Sequence, residues 1–329
     1  MEKVVSGIRP TGFLHLGNYF GAVKSFIEMQ NDYDSMFFIA DWHSLTTSPK
    51  PKDIQNSARV ILAEYLACGI DPNKAPIYVQ SDVKETLELY LYLNMNTYIG
   101  ELGRVTTFKE KARKQPDNVN AGLFTYPTLM AADILQHRAV KVPVGKDQEQ
   151  NMEMARKCAR RFNNIYGVDF FPEPQNFYFN AKAVKVPGLD GSGKMGKSEG
   201  NCIYLHDDDK TITKKVMKAV TDSGPTELNS EKPQVIENLF TFLQICSTQD
   251  TYDYFNEQWN NATIRYGELK KQIAQDICAT VAPIRERITE FSSNKELLDK
   301  IAKQGADAAR ESASATLKEV RKIIGFRTL

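Results

Sequence analysis

The chain has 329 residues, 42% hydrophobic and 25% charged; this is ordinary globular composition, in a length sufficient for two domains. Its 42 Lys and Arg against 41 Asp and Glu leave a formal net charge of +1, so no whole-molecule field draws nucleic acid and any such surface has to be a local patch. Five scattered cysteines (Cys68, Cys158, Cys202, Cys246, Cys278) form no CxxC pair, which argues against zinc, a dithiol redox site or a cysteine-ligated cluster.

No apolar run approaches the ~18 residues of a membrane span. Met1 to Gly7 reaches glycine too early for a signal peptide. With isolated thiols, this points to a cytoplasmic protein.

Val4 and Val5 begin the chain as an apolar strand. Leu16, Phe20, Val23 and Ile27 then recur at 4-3-4 spacing, one apolar helical face. Phe37 to Ala40, Ile77 to Val79 and Val140 to Val144 read as buried strands. Met152, Ala155, Ala159 and Phe162 mark the helix after Gly145. Strands alternating with helices predict an α/β fold, a Rossmann-like parallel sheet covered on both faces. Ligands on such sheets bind at the carboxyl ends of the strands, where the topology switches. After about Ser198 the pattern turns helical: Ile212, Val216 and Val220, then Val235 to Cys246, then Leu269 to Val281. The expected division is 1–190 for the sheet domain, 191–300 for a helical domain, and 301–329 for a last helix packing back on the first.

Two segments carry chemistry. Gly7-Ile8-Arg9-Pro10-Thr11-Gly12-Phe13-Leu14-His15-Leu16-Gly17-Asn18-Tyr19 follows an apolar strand and opens a helix. Free N–H groups and the helix dipole at such a terminus favour phosphate. His15 can donate to phosphate oxygens, and Gly17 and Gly21 clear one helical face for a flat base. The second segment is Gly188 to Ser198. Gly188, Gly193 and Lys194 fit GxxxxGK, but Met195 stands where a P-loop needs Ser or Thr, and the segment lies far from the first strand. The better reading is two mobile cations, Lys194 and Lys197, that stabilise charge building on phosphates.

Together, His15-Leu16-Gly17-Asn18 and Lys194-Met195-Gly196-Lys197-Ser198 resemble the HIGH and KMSKS signatures of class I aminoacyl-tRNA synthetases. Gly100 to Lys111, Ala121 to Leu135 and Val142 to Gln148 extend the likeness along nearly the whole chain to the bacterial-type tryptophanyl-tRNA synthetases. Asn18 replaces the last histidine of HIGH, as is usual there. Gly196 replaces the serine of KMSKS, which removes a hydroxyl and predicts a looser loop.

The resemblance implies activation of L-tryptophan by ATP with Mg2+, then transfer to tRNA(Trp). It assigns catalysis to His15, Asn18, Lys111, Lys194 and Lys197. It assigns ATP to Arg9, Pro10, Thr11, Gly17, Asn18, Gly145, Lys146, Asp147, Val186, Lys194, Met195, Gly196, Lys197 and Ser198, with magnesium on the phosphates and no protein metal site. Val5, Gly7, His43, Met130, Val142 and Val144 become walls of the amino-acid pocket, Tyr126 and Gln148 hold its amino group, and Asp133 accepts the indole N–H. From local sequence, Asp133 is an unpaired carboxylate on an apolar helix or one paired with a nearby basic group. The resemblance further implies inserted helices near 80–120 forming a homodimer interface around Leu89 to Leu93, and an anticodon-binding role for the helical domain. Lys214, Lys215 and Lys218, with Arg156, Arg160 and Arg161, are candidates for tRNA phosphates or simply a solvated face. Three rivals stay open: a tyrosyl-tRNA synthetase, a small-molecule adenylyltransferase, and a catalytically silent paralogue used in binding or regulation.

Overall fold

The structure is a computed structural model and describes residues 1–47, 50–145, 148–177 and 185–327. Five strands carry it: β1 (Lys3–Ile8), β2 (Asp34–Ile39), β3 (Ile77–Val79), β4 (Lys141–Pro143) and β5 (Gln175–Phe177). Their order is β3-β2-β1-β4-β5, with every pair parallel. The chain runs outward from β1 to β3 and then returns to β4 on the other side of β1. That reversal places the switch point between β1 and β4, where Ser6 Oγ donates to Pro143 O at 3.0 Å. The predicted strands form. β5 was not expected: it is a three-residue edge strand with one apolar side chain, too short and too polar for a periodicity argument.

The sheet is buried on both faces because its side chains alternate with the pleat. Val4, Phe37, Ile39 and Ile77 point into one core; Val5, Met36, Phe38 and Tyr78 point into the other. The N-terminal helical run has three pieces: α1 (Leu16–Asn18), a π-turn (Tyr19–Val23) and α2 (Lys24–Asp32). Leu16, Phe20 and Val23 are buried as the spacing predicts; Phe26 is buried as well, while Ile27 packs at the core's margin. α3 (Pro51–Cys68) starts on proline and stops at Gly69, whose φ of 113° suits glycine.

On the second face lie α4 (Glu85–Met95), α7 (Ala121–Leu135) and α8 (Glu149–Tyr166), with α5 (Ile99–Leu102) and α6 (Thr106–Lys114) beside α7. Met152, Ala155, Ala159 and Phe162 are all buried there. The C-terminal helices are α9 (Asp209–Met217), α10 (Gln234–Cys246), α11 (Gln249–Asn260), α12 (Tyr266–Ser293) and α13 (Lys295–Ile324). α12 packs on α3, and α13 lies against the edge strand β3. α13 joins the two cores: Leu298 and Ile301 belong to the first, Ala306, Ala309 and Ala313 to the second.

Candidate functional site

β1 ends at Ile8, and the chain turns through Arg9 to His15 into α1. The His15 N–H donates to Asn18 Oδ1 at 3.2 Å, and the Asn18 N–H donates to His15 O at 2.8 Å. This leaves the Asn18 NH2 group as a donor. The His15 ring is buried, and its Nδ1 has no hydrogen-bond partner among the described residues. Burial, with Lys197 and Lys194 nearby, lowers its pKa to about 4, so the ring is neutral at pH 7. At Gly17 a Cβ would lie 2.9 Å from the His15 ring, so the glycine also makes room for that ring. At Gly21 a Cβ would meet nothing within 4 Å.

The lysine segment folds onto this turn across 186 positions of sequence: Lys197 Nζ donates to Gly12 O at 3.1 Å and reaches Thr11 Oγ1 at 3.5 Å. Just beyond it, the Leu16 N–H donates to Ile203 O and the Leu205 N–H to Leu14 O, both at 3.0 Å. Met195 is buried, and its N–H donates to Val186 O at 2.9 Å. Asn201 organises the loop: its Nδ2 donates to Asp190 Oδ1 and Ser192 Oγ, each at 2.9 Å, and its Oδ1 accepts from the Gly196 N–H at 2.9 Å. Lys194 leads into a short 3-10 turn, Lys197–Glu199, rather than an α-helix, which disposes of the P-loop likeness. Gly196 is extended (φ −152°, ψ 143°), and a Cβ there would be 3.6 Å from its nearest neighbour. Serine would fit, so the backbone does not demand glycine. The side chain of Ser198 lies outside the described residues.

In the expected amino-acid pocket, the paired reading of Asp133 holds. Asp133 on α7 is wholly buried, but it is not unpaired: His43 Nε2 lies 2.9 Å from its Oδ2, and Gln80 Nε2 donates to its Oδ1 at 2.7 Å. Burial raises its pKa, and His43 and Gln80 oppose the shift. The orientation of Gln80 is set by the Trp42 N–H, which donates to its Oε1 at 3.1 Å. His43 follows β2 and Gln80 follows β3, so the pairing exists only once the sheet has formed. Val5 and Val142 are buried in the core that Met130 and Val144 pack against. Gly7 touches Phe38, whose ring would be 2.8 Å from a Cβ. Tyr126 Oη bonds to Thr107 Oγ1 and donates to Asn151 Oδ1 at 3.3 Å. Asn151 Nδ2 donates in turn to Gln148 Oε1 at 2.8 Å, and Lys111 Nζ sits 3.8 Å from the Tyr126 ring centre.

Tyr126, Gln148 and Lys111 are thus one cluster, with Arg9 in electrostatic reach of Tyr126. Gly145 O accepts the Gln148 N–H at 2.9 Å. Lys146 and Asp147 lie outside the described residues. Among the six candidate tRNA contacts, Arg156 pairs with Glu153 (2.9 Å), Arg160 with Glu153 and Glu173 (2.8 and 3.0 Å), Arg161 with Glu101 (2.8 Å) and Lys215 with Asp207 (2.5 Å). Lys214 and Lys218 are exposed. Glu64, Gln80, Thr107, Asn151 and Asn201 did not stand out from sequence. Only Glu64 carries a signal, as the one charge in the run Val60 to Cys68.

The family described as class I tRNA synthetases (W and Y) matches residues 1–282. A tryptophan–tRNA ligase of Porphyromonas gingivalis is 71% identical over 99% of this chain and all of its own. One of Caldanaerobacter subterraneus is 39% identical over 99% of both. A crystal structure of tryptophanyl-tRNA synthetase from Campylobacter jejuni, complexed with ADP and tryptophan, superposes with a TM-score of 0.86 at 34% identity, covering 98% of this chain and all of that one. A tyrosyl-tRNA synthetase of Archaeoglobus fulgidus shares the fold, with a TM-score of 0.68 at 18% identity over 87% of this chain and 90% of that one.

Proposed function

The chain belongs to the class I tRNA synthetases of the tryptophan and tyrosine branch, and on that premise we propose that it ligates L-tryptophan to tRNA(Trp) at the expense of ATP. The tryptophan carboxylate is ionised at neutral pH and needs no general base. It attacks the α-phosphorus in line; the new P–O bond forms as the bond to the bridging oxygen breaks, giving tryptophanyl-adenylate and pyrophosphate. Catalysis then rests on positioning and on stabilising developing charge. His15 and Asn18 receive phosphate oxygens at the start of α1. Lys111, Lys194 and Lys197 counter the charge. Arg9, Pro10, Thr11, Gly17, Gly145, Lys146, Asp147, Val186, Met195, Gly196 and Ser198 form the rest of the ATP site. Magnesium arrives on the ATP phosphates. In the second step the terminal 2′-OH of tRNA attacks the adenylate carbonyl and AMP leaves.

One observation carries the amino-acid choice: a wholly buried carboxylate, Asp133, beside a core built of Val5, Val142 and their neighbours. A carboxylate offers about four acceptor sites; His43 and Gln80 use two, and the indole N–H takes a third. Tyrosine would lose roughly 50 Å² of burial, about 1 kcal/mol. Phenylalanine would also leave the acid without that donor, costing a further ~1–3 kcal/mol. Nothing larger than tryptophan needs excluding, so no editing site is required.

In this reading residues 1–190, completed by the lysine loop through Ser198, carry the chemistry, and the helices of the 191–300 domain meet the anticodon. Lys214, Lys218 and Arg160 are the exposed members of the basic group that such a partner would use, Arg160 being ion-paired already. Leu87, Leu91, Met95, Tyr98 and Ile99 are exposed along α4 and α5. An apolar ridge of this kind calls for a partner, and a second copy of the chain fits it. No helix among the described residues is long and apolar enough to cross a membrane, and a cytoplasmic enzyme agrees with five free cysteines. Amino-acid-dependent ATP–pyrophosphate exchange tests the reading. Exchange with tryptophan alone is expected; exchange with tyrosine alone, or with no amino acid, would sink it.

A further inference from the structure

Glu64 has no part in the chemistry above, yet it is fully buried on α3 beneath both nucleotide segments. Its Oε2 accepts the Leu14 N–H at 2.8 Å, and its Oε1 has no hydrogen-bond partner among the described residues. Leu14 immediately precedes His15. Lys197, which donates to Gly12 O in the same turn, lies within electrostatic reach of the carboxyl. We propose that Glu64 is a positioning residue for adenylyl transfer: it anchors the turn that carries His15, and its charge competes with the ATP phosphates for Lys197. The proposal rests on the adenylation reading given above.

Holding one backbone N–H does not call for a carboxyl. A glutamine amide oxygen would accept it equally well, without the cost of burying an ionisable group. A carboxyl differs from that amide in being able to take on a charge, and Lys197 lies within its electrostatic reach. Burial pushes the Glu64 carboxyl up to about 8 and depresses Lys197. The other titratable groups around the pair are Cys68 one turn along α3, Arg9 and Cys202 beside Lys197, and His15, which Lys194 also faces. His15 is neutral throughout the neutral range. Over the neutral range the raised carboxyl is largely uncharged and Lys197 is left to the nucleotide. Above it, the carboxylate holds Lys197 back.

The test is Glu64→Gln, which keeps shape and the acceptor for Leu14. In exchange assays the wild-type KM for ATP should rise about threefold or more from pH 7 to pH 9, and that rise should vanish in E64Q with tryptophan KM little changed. Without substrates, amide hydrogen exchange across 194–200, corrected for intrinsic rates, should slow in wild type over the same pH step and not in E64Q. Equal thermal melting at pH 7 checks the fold. Identical pH profiles and identical protection in the two proteins would overturn the proposal. A wild type that exchanges with no amino acid would fail the adenylation reading instead, and the amide protection would still decide Glu64.

Discussion

A carboxyl group buried as deeply as Asp133 costs several kcal/mol unless partners meet it, and His43 and Gln80 do so at 2.9 and 2.7 Å. Asp133→Ala strands both partners and, on the proposed reading, removes the acceptor for the indole. We expect the KM for tryptophan to rise by roughly 10- to 100-fold, matching ~1–3 kcal/mol, while the KM for ATP moves less than about threefold. Equal losses for both substrates would show that Asp133 does not select. His15 and Lys197 could be singled out from sequence because their signal lies in local order: a glycine-rich turn before a helix, and lysines on a glycine-rich loop. Gln80 carried no such signal. Its role comes from the Trp42 N–H on one side and Asp133 on the other, contacts that only the closed sheet creates.

Elements were legible where burial follows a period. β1 to β4 appear as apolar runs because parallel strands are covered on both faces. α8 appears as a stripe because one face alone is buried. β5 fails both tests. The close approach of α13 to β3 turns on one glycine. A Cβ on Gly305 would lie 1.9 Å from Ile77 O, so helix and edge strand approach backbone to backbone. Gly305→Ala must push α13 off β3, at an expected cost of about 1–3 kcal/mol. A denaturant midpoint lowered at unchanged m-value would record it. An unchanged midpoint would mean that α13 is not seated there in solution.

At the scale of the molecule, the exposed ridge of Leu87, Leu91, Met95, Tyr98 and Ile99 stands apart from the sheet. If it joins two copies, Leu91→Asp places a charge in the contact, and sedimentation should fall from the mass of two chains to that of one. A wild type sedimenting as a single chain would remove the interface. The sequence by itself determined the reaction class and the strands β1 to β4, and it singled out the two segments proposed for the nucleotide, because each rests on neighbours along the chain. Only the tertiary structure decided that Lys197 would lie on Gly12, that Asp133 would be paired, and that Glu64 would be buried beneath the turn before His15. Burial and pairing are properties of groups brought together from distant positions. A lone glutamate in an apolar helical run stands out, but what it meets is undefined until α3 is placed under that turn.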